Sequence, residues 1–134
     1  MAKLIDVEGI GEKYALKLEK AGIKSMNDLL ENGATPAGRK EIAKNSGIAD
    51  GLILEWVNRV DLFRIKGVGE EYSDLLEASG VDTVVELGKR KPENLFKAMV
   101  DVNEAKKKVR KLPTLEQVQD WIAQAKKLPR KISY

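Results

Sequence analysis

The chain has 134 residues, 24 of them Lys or Arg and 21 Asp or Glu, for a net charge of +3, and it contains neither cysteine nor histidine. That length fits one compact domain or two small ones, and 43% hydrophobic residues can build a core beneath a surface rich in charge. The two absent residue types exclude disulfides, thiolate chemistry, zinc sites of the usual Cys/His kind and Ser-His or Cys-His nucleophiles.

No phosphate-loop or calcium-loop spacing occurs either, so the expectation is a protein that is not an enzyme, with no cofactor and no metal. Asp6 comes too early for a secretion signal. No apolar run approaches the roughly 18 residues of a membrane span, so the expected location is cytoplasmic, with no membrane partner.

In chain order, an opening helix of about one turn leads into a tight turn at Gly9-Ile10-Gly11. Tyr14, Ala15 and Leu18 then share one face of a helix that Gly22 stops. Ser25 caps a short helix through Leu30, and Thr35-Pro36 opens another that ends before Gly47. Asp50 starts a longer helix bearing Ile53, Leu54, Trp56 and Val57.

The second half repeats this grammar. After Gly67-Val68-Gly69, the residues Tyr72, Leu75 and Leu76 form a buried face, Gly80 stops the helix and Thr83 caps the next. Pro92 opens a helix through Leu95, Met99 and Val102. Asn103 is expected to cap a lysine-rich helix whose buried stripe is Ala105, Val109 and Leu112, with Lys106, Lys107, Lys108, Arg110 and Lys111 on its exposed sides. Thr114 caps the last helix, with Leu115, Val118, Ile122 and Ala125 facing inward, and Pro129 ends it. No stretch alternates with period two, so no sheet is expected.

Two segments match at an offset of 58 residues: Ile5 to Leu18 answers Phe63 to Leu76, and Ala21-Gly22-Ile23 answers Ser79-Gly80-Val81. Each copy closes on a tryptophan helix, Trp56-Val57 or Trp121-Ile122, reconciled by an insertion of about seven residues in the second copy. The expected domains are therefore residues 1–60 and 61–134.

Glycines two apart at the start of a helix leave backbone amides with little side-chain cover, which suits a phosphate oxygen. With the matching Tyr, Leu and Gly-Ile/Val positions, these turns resemble the helix-hairpin-helix superfamily. The chain is more closely similar to an uncharacterised microbial family of paired units of this kind. That likeness is carried by Leu4 to Gly11, Tyr14, Ala21-Gly22-Ile23, Leu62 to Tyr72, Leu52 to Val57 and Trp121 to Pro129. The resemblance implies an all-α fold of duplicated helix-hairpin-helix units, a sterile-alpha-motif-like helical bundle of about eight to ten short helices.

The wider superfamily also implies sequence-independent binding of DNA through its phosphate backbone. Carried over, the amide donors would be Gly9, Ile10 and Gly11, then Gly67, Val68 and Gly69. The basic neighbours would be Lys13 in the first copy, and Lys66 and Arg64 in the second. Glu12 and Glu70-Glu71 depart from that pattern: an acid in the first turn favours the helix dipole but repels phosphate. Residues 1–88 carry 11 basic and 16 acidic side chains, and residues 89–134 carry 13 and 5. The basic C-terminal third is either a phosphate-facing patch or an ordinary solvated surface. The leading expectation is thus a DNA-backbone-binding module; the alternative is a scaffold that binds a protein partner.

Overall fold

A computed structural model describes residues 4–7 and 9–134. Among them there are eight α-helices and no strand: α1 (Gly11–Lys20), α2 (Met26–Asn32), α3 (Pro36–Ser46), α4 (Asp50–Leu62), α5 (Glu70–Ala78), α6 (Val84–Lys89), α7 (Pro92–Lys106) and α8 (Leu115–Lys127). A single 3-10 turn, Leu4–Asp6, precedes them. No helix among the described residues is long and apolar enough to cross a membrane.

Local chemistry accounts for most of these boundaries. The Ser25, Thr35, Thr83 and Thr114 side chains each accept from a backbone N–H three residues on, closing the starts of α2, α3, α6 and α8. At α8 the closure is reciprocal, since the Gln117 side chain also accepts from the Thr114 N–H at 2.8 Å. At the ends of α1 and α5 the amides of Ile23 and Val81 reach back to Leu18 and Leu76, both at 2.9 Å.

The chain forms two compact units. The first is Met1–Asp61 together with Lys131–Tyr134, and the second is Leu62–Arg130. The four C-terminal residues therefore pack with the first unit, whereas the sequence reading assigned everything from residue 61 onward to the second. The cause is a pair of hydrogen bonds that no local pattern announces, the Ser133 N–H donating to the Ala34 carbonyl and the Arg39 guanidinium donating to the Ser133 carbonyl. This division also redistributes charge: the first unit holds ten basic and ten acidic residues, the second 14 and 11. The acidic and basic halves of the linear sequence are thus not its two folded bodies.

In the first unit α1 packs on the 3-10 turn and α3, and α2 packs on α3, around Leu18, Leu29, Ile53, Trp56 and Val57. In the second, α8 packs on α6 and α7, and α5 on α7, enclosing Leu75, Leu76, Leu87, Leu95, Met99 and Trp121. The same details recur in both at the offset of 58: Ile10 N–H donates to Val7 and Val68 N–H to Ile65, each at 3.1 Å.

The lysine-rich helix expected after Asn103 does not form. Asn103 lies inside α7, and residues 107–114 are an irregular loop. Lys107 takes a left-handed conformation, φ 50°, that ends α7. The Asn103 side chain then grips the main chain of Val109 on both sides, accepting from its N–H at 2.9 Å and donating to its carbonyl at 3.3 Å. That clamp satisfies both main-chain groups of Val109, and Pro113, four residues on, has no N–H with which a helix could have reached the Val109 carbonyl. Val109 is still buried, but as a plug from a loop.

Candidate nucleic-acid interface

Each Gly-x-Gly turn is shaped by its first glycine. Gly9 and Gly67 have φ of 90° and 96°, which side-chain-bearing residues rarely adopt. A Cβ on either would lie 3.2 Å from Trp56 Nε1 or 3.0 Å from Trp121 Nε1. The indole edge occupies the space a side chain would need. Both tryptophans are buried, and each packs against the tyrosine of the following helix, Tyr14–Trp56 at 5.0 Å and Tyr72–Trp121 at 5.2 Å between ring centroids. Such aromatic pairs contribute about 0.5–1.5 kcal/mol beyond their buried area.

The middle residues, Ile10 and Val68, are buried pegs. Their amides already donate within the turn, to Val7 and Ile65, so they leave the set of outward donors that the sequence suggested. What remains is Gly9 and Gly11 in the first turn, and Gly67 and Gly69 in the second. The helices that follow, α1 and α5, receive no side-chain cap, in contrast to α2, α3, α6 and α8. The two turns diverge at their last residue: Gly11 is left-handed at φ 60°, whereas Gly69 is extended at φ −108°.

They diverge in charge as well. Asp6 and Glu8 stand in the first copy where Arg64 and Lys66 stand in the second. Lys66 is exposed, and its peptide is held on both sides by Gln124 of α8, whose Oε1 accepts from the Lys66 N–H at 2.9 Å and whose Nε2 donates to its carbonyl at 3.1 Å. Arg64 donates to the Pro129 carbonyl at 2.7 Å, tying the turn to the end of α8. Lys13 is exposed on α1 in the first unit.

The basic cluster reaches the same region of the second unit by a different route. Lys106 ends α7, and Lys107, Lys108, Arg110 and Lys111 lie on the loop beyond it. Lys108 pairs with Asp74 of α5 at 3.3 Å, and the Lys111 carbonyl accepts from the Tyr72 hydroxyl at 3.0 Å. Tyr72 in turn packs on Trp121, whose Nε1 underlies Gly67. One continuous set of contacts therefore joins the second turn to the lysine loop. The first turn and Lys13 belong to the other unit.

Gln124, Asn103 and the Tyr72 hydroxyl organise this region, and the sequence reading assigned none of them such a role. The readable signal was weak: a glutamine three residues after Trp121, on the helix face that meets the turn. Chemically, the region offers main-chain donors at an uncapped helix start beside several ammonium groups, with Glu70 and Glu71 opposing them in the first turn. That combination suits a polyanion met at several points better than one small anion held by the turn alone.

No curated protein and no solved structure matches the chain. A family model, the domain of unknown function DUF4332, matches residues 8–128. With nearly its whole length inside that match, the chain belongs to the DUF4332 family.

Proposed function

We propose that this chain is a non-enzymatic cytoplasmic module of two helix-hairpin-helix units, related to the sterile-alpha-motif-like bundles. Its second unit binds nucleic-acid backbone without sequence preference. The supporting observation is the contact chain from Gly67 through Trp121 and Tyr72 to Lys111, which joins a turn flanked by Arg64 and Lys66 to a cluster of five basic residues, Lys106 at the end of α7 and four on the loop beyond it. DNA is the expected polymer. Its phosphates would meet Lys106, Lys107, Lys108, Arg110 and Lys111 first, and the Gly67 and Gly69 amides second. The first unit, with Asp6 and Glu8 before its turn and balanced charge, favours a protein-binding role for that half.

The test is fluorescence anisotropy with labelled duplex and single-stranded DNA from about 20 to 200 mM salt, where backbone binding loses affinity steeply. Neutralising Lys106, Lys107, Lys108, Arg110 and Lys111 to Gln is expected to flatten the salt dependence and to weaken every sequence alike. Gly69→Ala fits the fold, because its conformation is extended and a Cβ would meet nothing within 4 Å. Its loss of affinity reads the contribution of the turn. Absence of binding at the lowest salt refutes the proposal, and a stoichiometric protein partner that survives nuclease treatment favours the scaffold reading.

A further inference from the structure

The last four residues are held in the first unit in a manner that reads main chain as well as side chains. Ser133 donates its N–H to the Ala34 carbonyl at 2.8 Å, and its own carbonyl accepts from Arg39 Nη2 at 2.9 Å. Both polar groups flanking one residue are thus engaged, as when an extended peptide is added to an open backbone edge. Ile132 is 3% exposed. The Tyr134 hydroxyl donates to Asn58 at 3.0 Å, and its ring lies 6.0 Å from the Arg39 guanidinium.

The receiving surface is also held by contacts that do not involve the segment. Arg39 is 4% exposed and anchored from behind by the Gly33 carbonyl, which accepts from its Nη1 at 2.9 Å. A Cβ on Gly33 would lie 2.6 Å from Val57, so the α2–α3 turn sits flat on α4 with the Ala34 carbonyl available to the segment. Arg39 therefore directs one arm of its fork at a carbonyl of the occupant. Without the segment Arg39 Nη2 exchanges this acceptor for water and the Ile132 side chain returns to solvent, so the surface favours being filled.

We infer that the first unit carries a recognition site for a short extended peptide of the pattern apolar–small polar–aromatic, which residues 131–134 fill from within the chain. Arg39 and the Ala34 carbonyl read the backbone, a buried pocket takes the apolar residue, and Asn58 takes the aromatic hydroxyl. Because the occupant is part of the same chain, it acts at an effective concentration on the order of millimolar. A partner segment of the same chemistry enters only when the internal one is released. This inference is independent of nucleic-acid binding.

The test uses the 134-residue chain and a fluorescein-labelled peptide of sequence Arg-Lys-Ile-Ser-Tyr. Ile132→Asp releases the internal segment, and this variant is expected to bind the peptide saturably, at least about tenfold more tightly than the wild type. Adding Arg39→Met to it is expected to weaken binding about tenfold or more. A folded Ile132→Asp chain with no saturable binding overturns the inference, as does equal binding with and without Arg39. Where Ile132→Asp loses its cooperative melt, amide exchange in the wild type decides. Ser133 N–H is expected to be protected, and to lose protection in Arg39→Met while Leu18 and Ile53 keep theirs. Exchange of Ser133 at the free-peptide rate in the wild type overturns the inference.

Discussion

Replacing Gly67 by alanine tests the device that shapes both turns. Two costs arise together. The left-handed conformation at φ 96° costs a residue with a Cβ about 1–2 kcal/mol. The new Cβ would also sit 3.0 Å from Trp121 Nε1. Trp121 is buried and packed on Tyr72, so the ring cannot swing aside, and such overpacking costs about 1–3 kcal/mol. The sum is about 2–5 kcal/mol; for a body the size of Leu62–Arg130, where each kcal/mol moves the melting temperature about 4–8 °C, the drop is at least about 8 °C. Gly69→Ala, two residues away, is the control: with an extended backbone and open space it should stay within about 0.5 kcal/mol of wild type. Thermal melts followed by far-UV circular dichroism, with tryptophan emission as a second probe, measure both. The reasoning fails if Gly67→Ala melts within about 2 °C of wild type, or if Gly69→Ala falls as far.

Two further substitutions probe elements that position the basic loop. Asn103→Ala removes both hydrogen bonds to the Val109 main chain and is expected to cost about 1–3 kcal/mol, with faster amide exchange at Val109 as its local signature. Thr114→Ala opens the reciprocal cap of α8 and is expected to lower the urea midpoint by the equivalent of about 1 kcal/mol with an unchanged m-value.

The parts of the fold that could be read beforehand are those settled within a few residues. Ser25, Thr35, Thr83 and Thr114 cap where their spacing to the next apolar face says they should, because a cap needs only one side chain and an amide three positions on. Residues 103–112 misled for an equally local reason. Ala105, Val109 and Leu112 have helical spacing, and nothing in that spacing reveals that the Asn103 amide competes for the Val109 backbone. The C-terminal segment was illegible because its partner Arg39 lies 94 residues away. At the candidate site, the glycines announced exposed amides, but not that Ile10 and Val68 spend theirs inside the turn. The charge difference between the turns was visible in Asp6 and Glu8 against Arg64 and Lys66, and gains meaning only with Gln124 beside Lys66.

The loop of residues 107–114 is attached through its backbone: Val109 by N–H and carbonyl to Asn103, Lys111 by its carbonyl to the Tyr72 hydroxyl. Val109, as a plug, Leu112 and Pro113, turned toward the core, and Lys108, in its pair with Asp74, commit their side chains. Lys107, Arg110 and Lys111 are exposed. Their identities can change without altering a hydrogen bond that holds the loop, so the second unit works as a mount with an exchangeable face. The same frame can present lysines to a polyanion, or other side chains to a different partner, with the glycine–tryptophan joint beneath left untouched.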